Sequence, residues 1–292
     1  MDPRILDRLR CPVCGEPLAE ATAGTTSTLR CPRRHSFDIA RQGYVNLLAG
    51  RAPHVGDSAE MVAARADFLA AGHYDSISAA LCDAATEAVG RLHATPTPDV
   101  EAYPLVVDAG AGTGRYLGAV LAALPDAVGL ALDVSKPALR RAARAHPRAA
   151  AALADTWQRL PLADASTAVL LNVFAPRNGP EFHRVLDPAG TLLVVTPDTD
   201  HLAELVGALD LLRVDPDKAD RVAGSLGGHF TPVSSAVHRA ELALTRPEVA
   251  TVVGMGPSAW HTDAGALAAR LAALPEPVRV TVAVRLDVLR PR

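Results

Sequence analysis

Three cysteines and one histidine near the start of the chain have the spacing of metal ligands. They form the pattern C-x2-C-x16-C-x3-H with Cys11, Cys14, Cys31 and His35. A glycine directly after the first pair permits a tight turn from which both thiolates project. Four thiolate and imidazole donors favour Zn²⁺, and a set with no open position is typical of a structural site. The pattern predicts a structural zinc; the alternative is unrelated thiols beside a surface histidine.

A glycine-rich run in the middle of the chain predicts a cofactor site. The run DAGAGTG begins with Asp108 and contains Gly110, Gly112 and Gly114. Glycines here let backbone lie against a ligand where the next helix begins. The acid precedes the first glycine, which is typical of S-adenosylmethionine enzymes and differs from the G-x-G-x-x-G run of dinucleotide enzymes. A glycine-rich turn alone also occurs as a purely structural feature.

Two further acids stand at the ends of the following predicted strands. Asp133 closes the second strand, where its carboxylate can accept hydrogen bonds from both ribose hydroxyls of a cofactor. Asp155 follows the third strand, where the adenine amino group would lie. The spacing of the three acids, together with a pair of β segments at the C-terminus, predicts a class I (Rossmann-like) methyltransferase that uses S-adenosylmethionine.

The fourth predicted strand ends in the run Asn-Val-Phe-Ala-Pro, residues 172–176. Methyltransferases that act on exocyclic amines often carry an Asn/Asp-Pro-Pro-aromatic run at this place, and this chain lacks the paired prolines. We expect Asn172 to orient the edge of a base and Phe174 to stack on it, as catalytic residues. The alternative is a buried strand end whose asparagine caps a turn. The run holds no carboxylate, so it does not identify a base for proton removal.

Regular alternation of strands and helices must position these residues. Two helices are predicted between residues 59 and 92, with a break near Gly72, and a C-terminal β pair encloses a helical insert. Strands are predicted at 105–110, 128–135, 149–154, 166–174, 190–197, 236–244 and 280–289. The fold class is therefore α/β, a seven-stranded methyltransferase sheet with a small N-terminal zinc-ribbon module. The domains are expected at 1–57 (zinc module), 58–98 (helical connector and linker) and 99–292 (methyltransferase).

Charge is unevenly distributed along the 292 residues, whose net charge is −3. Residues 1–53 carry eight arginines, no lysine and five acids, hence +3, which leaves −6 for the remainder. A basic module on an acidic body suggests contact with a polyanion, although solvated surface charge explains such a split equally well. Arg30, Arg33 and Arg34 flank Cys31, so a zinc knuckle would hold their guanidinium groups in fixed directions toward phosphates.

Composition also excludes several classes of protein. Apolar residues make up 49% of the chain, which is enough for a full core. No apolar stretch is long enough to span a membrane, and no secretory signal is apparent, so we expect a cytoplasmic protein. Four cysteines in that compartment do not predict disulfides. Cys82 stands apart in an alanine-rich helix and is expected to be a packed small residue.

Eight motifs in a fixed order resemble one known family. They are CPVCG, CPRRHSFDIARQGYVNLL, GDSAEMVAARADFLAAGHYDSI, DAGAGTGRYL, LALDVSK, NVFAPR, VVTPDTDHLAEL and MGPSAWH. In this combination the chain resembles the bacterial 23S rRNA (guanine-N1)-methyltransferase family called RlmA, whose antibiotic-producer branch includes the tylosin-resistance methyltransferase. The third motif discriminates best, because a generic methyltransferase does not require it.

The resemblance implies a zinc-ribbon module that recognises RNA, a methyltransferase domain, and a homodimer that holds a hairpin of 23S rRNA in a cleft. It implies zinc bound by the four residues named above, and cofactor contacts from Tyr74, Gly112, Thr113 and His201. Thr113 stands where many members carry an acid, and Arg177 stands where others have cysteine. The Arg177 variant resembles the antibiotic-producer branch, which favours guanine 748 of hairpin 35 over guanine 745.

Two other functions stay open from the sequence. A methyltransferase of antibiotic or quinone biosynthesis would have the same fold, but it gives no reason for an arginine-bearing zinc knuckle. A non-catalytic RNA-binding or assembly module would not need the intact acids and glycines of the cofactor motif.

Overall fold

The chain begins with a short helix and a small antiparallel sheet. The computed structural model describes residues 1–23, 26–50, 54–94, 103–211, 224–256 and 264–292. Helix α1 (Pro3–Leu6) precedes strands β1 (Ala19–Ala23), β2 (Thr26–Arg30) and β3 (Ser36–Asp38), which pair in that order. The two predicted metal-ligand pairs flank the β1–β2 hairpin, as in a zinc ribbon.

The second sheet has eight strands in the order β10-β11-β9-β8-β5-β6-β7-β4. Its strands are β4 (Tyr44–Asn46), β5 (Leu105–Ala109), β6 (Val128–Asp133), β7 (Ala149–Leu153), β8 (Thr167–Val173), β9 (Leu186–Pro197), β10 (Phe230–Leu244) and β11 (Val278–Pro291). Strands β4 to β9 run parallel to one another, whereas β11 is antiparallel to both β9 and β10. The predicted α/β methyltransferase sheet with its C-terminal β pair is confirmed.

Strand β4 is an eighth strand that the sequence did not predict. It belongs to the segment assigned above to the zinc module, yet it pairs with β7, with Tyr44 opposite Ala151 and Asn46 opposite Leu153. A strand of three residues carries too little periodicity to be recognised from its sequence. Residues 44–46 therefore connect the zinc-ribbon segment to the edge of the large sheet.

Further helices follow along the described ranges. They are α2 (Ala59–Ala70), α3 (Asp75–Ala94), α4 (Arg115–Ala123), α5 (Lys136–Ala142), α6 (Gly179–Val185), α7 (Ala203–Leu209), α8 (Arg246–Gly254) and α9 (Ala264–Ala273). The hydroxyl of Ser58 caps α2 by accepting from the N–H of Met61, and Gly72 has φ +84° between α2 and α3. The predicted break near Gly72 is thus confirmed. No helix of the described ranges is long and apolar enough to cross a membrane.

The sheet is buried on both faces, with a separate apolar layer on each. Successive residues of a strand point to opposite faces, so Val106 joins the layer beneath α2 to α5, whereas Val107 joins the other. That second layer contains Phe182 of α6 together with Leu29 and the metal-ligand candidate Cys11. The zinc ribbon therefore packs on the face of the sheet opposite α2 to α5.

Candidate active site and metal centre

The four predicted metal ligands meet at one point of the zinc ribbon. Their donor atoms all lie within 4.8 Å of one another. Cys14 Sγ is 3.7 Å from Cys31 Sγ, and His35 Nδ1 lies 3.5 Å from Cys11 Sγ and 3.4 Å from Cys31 Sγ. A tetrahedral zinc with bonds near 2.3 Å separates two sulfur ligands by about 3.8 Å. The donors are therefore arranged as zinc requires, and all four corners are protein atoms.

Two turns with left-handed residues present these ligands. Gly15 has φ +75° and its N–H donates to the carbonyl of Cys11, whereas Arg34 has φ +68° and donates to the carbonyl of Cys31. Burial opposes ionisation, but backbone N–H groups of His35 and Arg33 lower the pKa of the Cys31 thiol. A non-glycine residue at positive φ is strained, so the second turn is held by its surroundings.

The glycine-rich loop between β5 and α4 requires its three glycines. Gly110, Gly112 and Gly114 have φ values of +86°, +53° and +77°. A Cβ on Gly110 would overlap the side chain of Ala175, and one on Gly114 would lie 2.9 Å from the Cα of Ala142. The loop is therefore bare backbone before a helix, as a bound cofactor requires. Thr113 lies half-buried within it.

Asp133 supports this loop from the end of β6. Its Oδ2 accepts from the N–H of Gly112 and its Oδ1 from the N–H of Ser135, both at 2.8 Å. Burial raises the pKa of Asp133, and these two N–H groups partly offset that shift. Each carboxylate oxygen can accept a second hydrogen bond, so Asp133 keeps acceptor capacity for ribose hydroxyls.

Asp108 at the end of β5 is the residue of this site that most clearly lacks a partner. It is 1% exposed, and neither carboxylate oxygen has a hydrogen-bond partner in the described structure. Burial, followed by the nearby charge of Asp133, raises the pKa of Asp108 to about 8. A buried acceptor without a donor is costly unless a ligand supplies one. The cationic methionine portion of S-adenosylmethionine can supply such a donor. The glycine loop beside Asp108 suits the remainder of the cofactor.

Asp155 already has protein partners. Its Oδ2 lies 2.9 Å from Nδ1 of His54, and its Oδ1 accepts from the N–H of Trp157 at 3.0 Å. The indole of Trp157 is 53% exposed, with its ring centre 6.0 Å from that of His54. The segment that leads from the zinc ribbon to α2 thus contacts the expected adenine position. Recognition of adenine by Asp155 stays a prediction.

Arg65 and Asp57 lie at the same edge of the sheet, and neither was predicted from the sequence. Arg65 Nη1 donates to Asp57, and its Nη2 donates to the carbonyl of Met255 at 2.8 Å. The guanidinium also lies against the glycine loop, 3.4 Å from where a Cβ of Gly112 would be. The only signal was charge inside the third family motif, where an arginine interrupts the apolar positions of α2.

Three predicted residues from distant parts of the chain meet beside the loop. The hydroxyl oxygen of Tyr74 is 3.1 Å from Nε2 of His201, and the ring of Phe174 is 6.1 Å from Tyr74 and 6.0 Å from His201. The N–H of Ala283 donates to His201 Nδ1 at 3.2 Å, so the imidazole is protonated on Nε2 and donates to Tyr74. Burial raises the pKa of Tyr74, which therefore keeps its own hydroxyl proton to donate.

Phe174 is an exposed aromatic residue in a strained conformation. It has φ +53°, and 41% of its surface is exposed, directly after β8. A bulky residue at positive φ costs energy and persists where the surrounding structure over-determines it, often at ligand sites. The position suits a ring that stacks on a base, and that role stays a prediction.

The structure describes the surroundings of Asn172, and its expected role in orienting a base stays a prediction. Its side chain is fully buried, and its amide donates to the carbonyl of Ala109 at 3.1 Å and to that of Pro176 at 2.8 Å. Both donor hydrogens are used, so the amide braces the end of β5 against the loop after β8. Its Oδ1 is buried and has no hydrogen-bond partner in the described structure, so this oxygen is still able to accept a hydrogen bond from a ligand.

The three arginines near the zinc turn have exposed side chains. Arg30, Arg33 and Arg34 are all at the surface, and only Arg33 approaches a carboxylate, that of Glu16 at 3.9 Å. They lie on the zinc ribbon and not at the carboxyl edge of the sheet, which we call the cofactor edge.

Comparison with known proteins decides the family. The N-terminal zinc-ribbon domain of RlmA matches residues 9–52. The chain is 50% identical over 291 residues to the Streptomyces fradiae protein named 23S rRNA (guanine(748)-N(1))-methyltransferase, covering 100% of this chain and 99% of that one. The chain belongs to the 23S rRNA (guanine-N1)-methyltransferase family.

Two further relatives support the same family. A Micromonospora griseorubida protein, provisionally named a 23S rRNA (guanine-N(1)-)-methyltransferase, is 69% identical over 295 aligned positions and covers all of both chains. The provisionally named family member YxjB of Bacillus subtilis is 33% identical over 201 residues, covering 67% of this chain and 66% of that one. The resemblance drawn from the motifs is confirmed, and this family member is a methyltransferase. Membership of this family disfavours the small-molecule and non-catalytic alternatives.

Proposed function

We propose that this enzyme transfers a methyl group from S-adenosylmethionine to N1 of guanine 748 in hairpin 35 of 23S rRNA, and that the modification confers resistance to tylosin-type macrolides. The observation that carries the target is the full-length match to the Streptomyces fradiae enzyme, whose name specifies that nucleotide. Arg177, which resembles the antibiotic-producer branch, supports the same choice over guanine 745.

The residues at the carboxyl edge of the sheet account for cofactor binding. Asp133 would accept the ribose hydroxyls, Asp155 would face adenine, and Asp108 would meet the cationic methionine portion. Tyr74 keeps a hydroxyl proton to donate, because His201 donates to its oxygen. The cofactor supplies a methyl group on a sulfonium, which is already a good leaving group, so these residues act by positioning.

The target guanine must leave its stack to reach this edge, which is cheapest in a hairpin loop. Phe174 would stack on the base. Guanine N1 carries a proton that must be removed. Tyr74 does not serve as that base, because burial keeps its hydroxyl protonated.

The zinc ribbon would recognise the rRNA hairpin. One structural zinc per chain would hold the two turns, and the exposed guanidinium groups of Arg30, Arg33 and Arg34 suit phosphate oxygens. We further propose that two copies assemble as a homodimer around the hairpin, and that the enzyme works in the cytoplasm, where rRNA is made.

Methyl transfer to defined transcripts tests this function. The enzyme would be incubated with labelled S-adenosylmethionine and an unmodified 23S rRNA fragment that contains hairpin 35. Methylation at N1 blocks Watson–Crick pairing, so a reverse-transcriptase stop is expected at guanine 748. A transcript with adenine at that position is the matched control and should lose the stop. Transfer to a small-molecule extract in place of RNA, or a stop that persists in the control transcript, would overturn the proposal.

A further inference from the structure

One segment of the methyltransferase sheet region carries positive charge alone. Residues 134–154 include five basic residues and no acid, although the whole chain has 32 acids and a net charge of −3. This segment contains α5 and lies outside the zinc ribbon, so the basic N-terminal module does not account for it.

Four of the five cations form one exposed group, which we name the α5 basic face. Its members are exposed, and they are Lys136, Arg140, Arg141 and Arg144. Lys136, Arg140 and Arg141 belong to α5, and Arg144 follows two residues after the end of this helix, so the four charges fall within nine consecutive residues. The fifth cation, Arg148, differs, because its guanidinium donates to the carbonyl of Leu124 at 2.7 Å.

No carboxylate in the described ranges pairs with the α5 basic face, whereas two exposed arginines elsewhere in the chain do have such a partner. Arg115 lies 2.7 Å from Asp75, and Arg239 lies 2.6 Å from Asp200. None of the four α5 cations has such a contact in the described structure. Like charges held together repel one another, and a polyanion that binds there relieves the repulsion.

The position of α5 brings this face next to both the glycine loop and the segment that follows the zinc ribbon. Ser135 caps α5 and directly follows the end of β6, where Asp133 holds the glycine loop. At the C-terminal end of α5, the Cβ of Ala143 lies 3.4 Å from where a Cβ on Gly43 would be. That turn leads from the zinc ribbon into β4 and carries the exposed Arg41.

We propose that the α5 basic face is a second RNA-binding surface, which holds backbone phosphates of the rRNA substrate beside the cofactor edge. The inference rests on the proposed rRNA function. Arginine and lysine contacts to phosphate fix the position of a nucleic acid without reading its sequence. The face therefore contributes affinity and salt dependence, and the choice of guanine depends on other residues.

Hairpin binding by a triple variant tests the proposal. In Arg140→Gln/Arg141→Gln/Arg144→Gln the net helix propensity is nearly kept, so the fold should persist. We expect binding of the hairpin-35 transcript to weaken roughly tenfold or more at low salt. The slope of log K against log salt should become shallower by about 0.7 to 0.9 per lost phosphate contact. Affinity for S-adenosylmethionine and the thermal midpoint should stay at wild-type values.

Matched single variants distinguish RNA binding by this surface from a general effect of removing one positive charge. Arg141→Gln should weaken hairpin binding, whereas Arg279→Gln should not, since Arg279 is also exposed but faces Glu241 at 4.0 Å. Wild-type hairpin affinity and salt slope in the triple variant would overturn the inference while leaving the proposed function intact. Failure of the wild-type enzyme itself to bind and methylate the hairpin would mark failure of the proposed function.

Discussion

The hydroxyl oxygen of Tyr74 lies 3.1 Å from Nε2 of His201, joining residues that are 127 positions apart in the sequence. Tyr74 follows α2, and His201 follows β9, so the contact ties the helical segment before the glycine loop to the second half of the sheet. Because His201 Nδ1 accepts from the N–H of Ala283, the imidazole is fixed as a donor to Tyr74. The hydroxyl proton of Tyr74 is thereby left for another acceptor, which we propose to be the cofactor.

Removal of that hydroxyl should weaken cofactor binding. In Tyr74→Phe the phenyl ring still packs against Phe68, but no hydroxyl is left to donate to the cofactor, which costs about 0.5 to 1.5 kcal/mol of binding free energy. We expect a higher Kd for S-adenosylmethionine by calorimetry and unchanged affinity for the hairpin. Tyr44→Phe, in β4, is the matched control and should bind the cofactor normally. Equal cofactor affinity in both variants would contradict this role of Tyr74.

The buried Asp108 should make both stability and cofactor binding depend on pH. Its ordinary pKa of 3.8 applies in the unfolded chain, whereas burial raises it to about 8 in the fold. The folded state therefore binds the extra proton between these values, and stability falls as pH rises, by about 1.4 kcal/mol per unit at most. Cofactor binding should show the opposite trend, because the ionised carboxylate favours a cationic ligand.

Asp108→Asn separates these two effects. The neutral amide removes the titration, so the variant should be more stable than the wild type at pH 8 in thermal melts without cofactor. It should also bind S-adenosylmethionine more weakly at that pH. A wild-type stability profile that is flat from about pH 4 to pH 8, or tight cofactor binding by the variant, would show that Asp108 does not act in this way.

Phe174 offers a test of strain against function. Phe174→Gly removes the penalty of positive φ, of order 1–3 kcal/mol, together with the exposed ring. Its thermal stability should equal or exceed that of the wild type, while methylation of the hairpin should fall. Phe174→Leu keeps the strain and loses the aromatic face, so it should lose methylation without gaining stability. Methylation at the wild-type rate by either variant would exclude stacking on Phe174.

Zinc should stabilise the ribbon and leave the cofactor edge functional. Cys14→Ser removes one of four ligands, so elemental analysis should find less than one zinc per chain and the ribbon should unfold. S-adenosylmethionine binding should be largely kept, while hairpin binding should be lost. Cys82→Ser, outside the four-ligand set, is the control and should retain the metal. A metal-free Cys14→Ser protein with full hairpin affinity would contradict the proposed role of the ribbon.

The sequence was informative wherever function depends on local pattern. The zinc ligands, the glycine loop and the alternating strands were predicted because each has a fixed spacing or period within a short window. Tyr74 and His201 were proposed only through the resemblance, since their contact spans most of the chain. The described structure adds that these two residues and Phe174 meet beside the glycine loop.

Other features depend on contacts that no local pattern encodes. Asn172 was expected at the substrate because of its residue type, but residue type does not reveal that its amide donates to Ala109 and Pro176. Arg65 reads as an ordinary helical charge until Asp57 and Met255 are found beside it. Such partners come from elements distant in sequence, so only the folded chain identifies them.

The three residues of β4 have a consequence for how the large sheet avoids edge-to-edge aggregation. Without them, β7 would be the outermost parallel strand, with unpaired N–H and C=O groups available to another chain. Because β4 is supplied by the segment that carries the zinc ribbon, removal of the first 57 residues would expose this edge as well as remove the metal. We expect such a shortened protein to aggregate, even if its cofactor residues are intact.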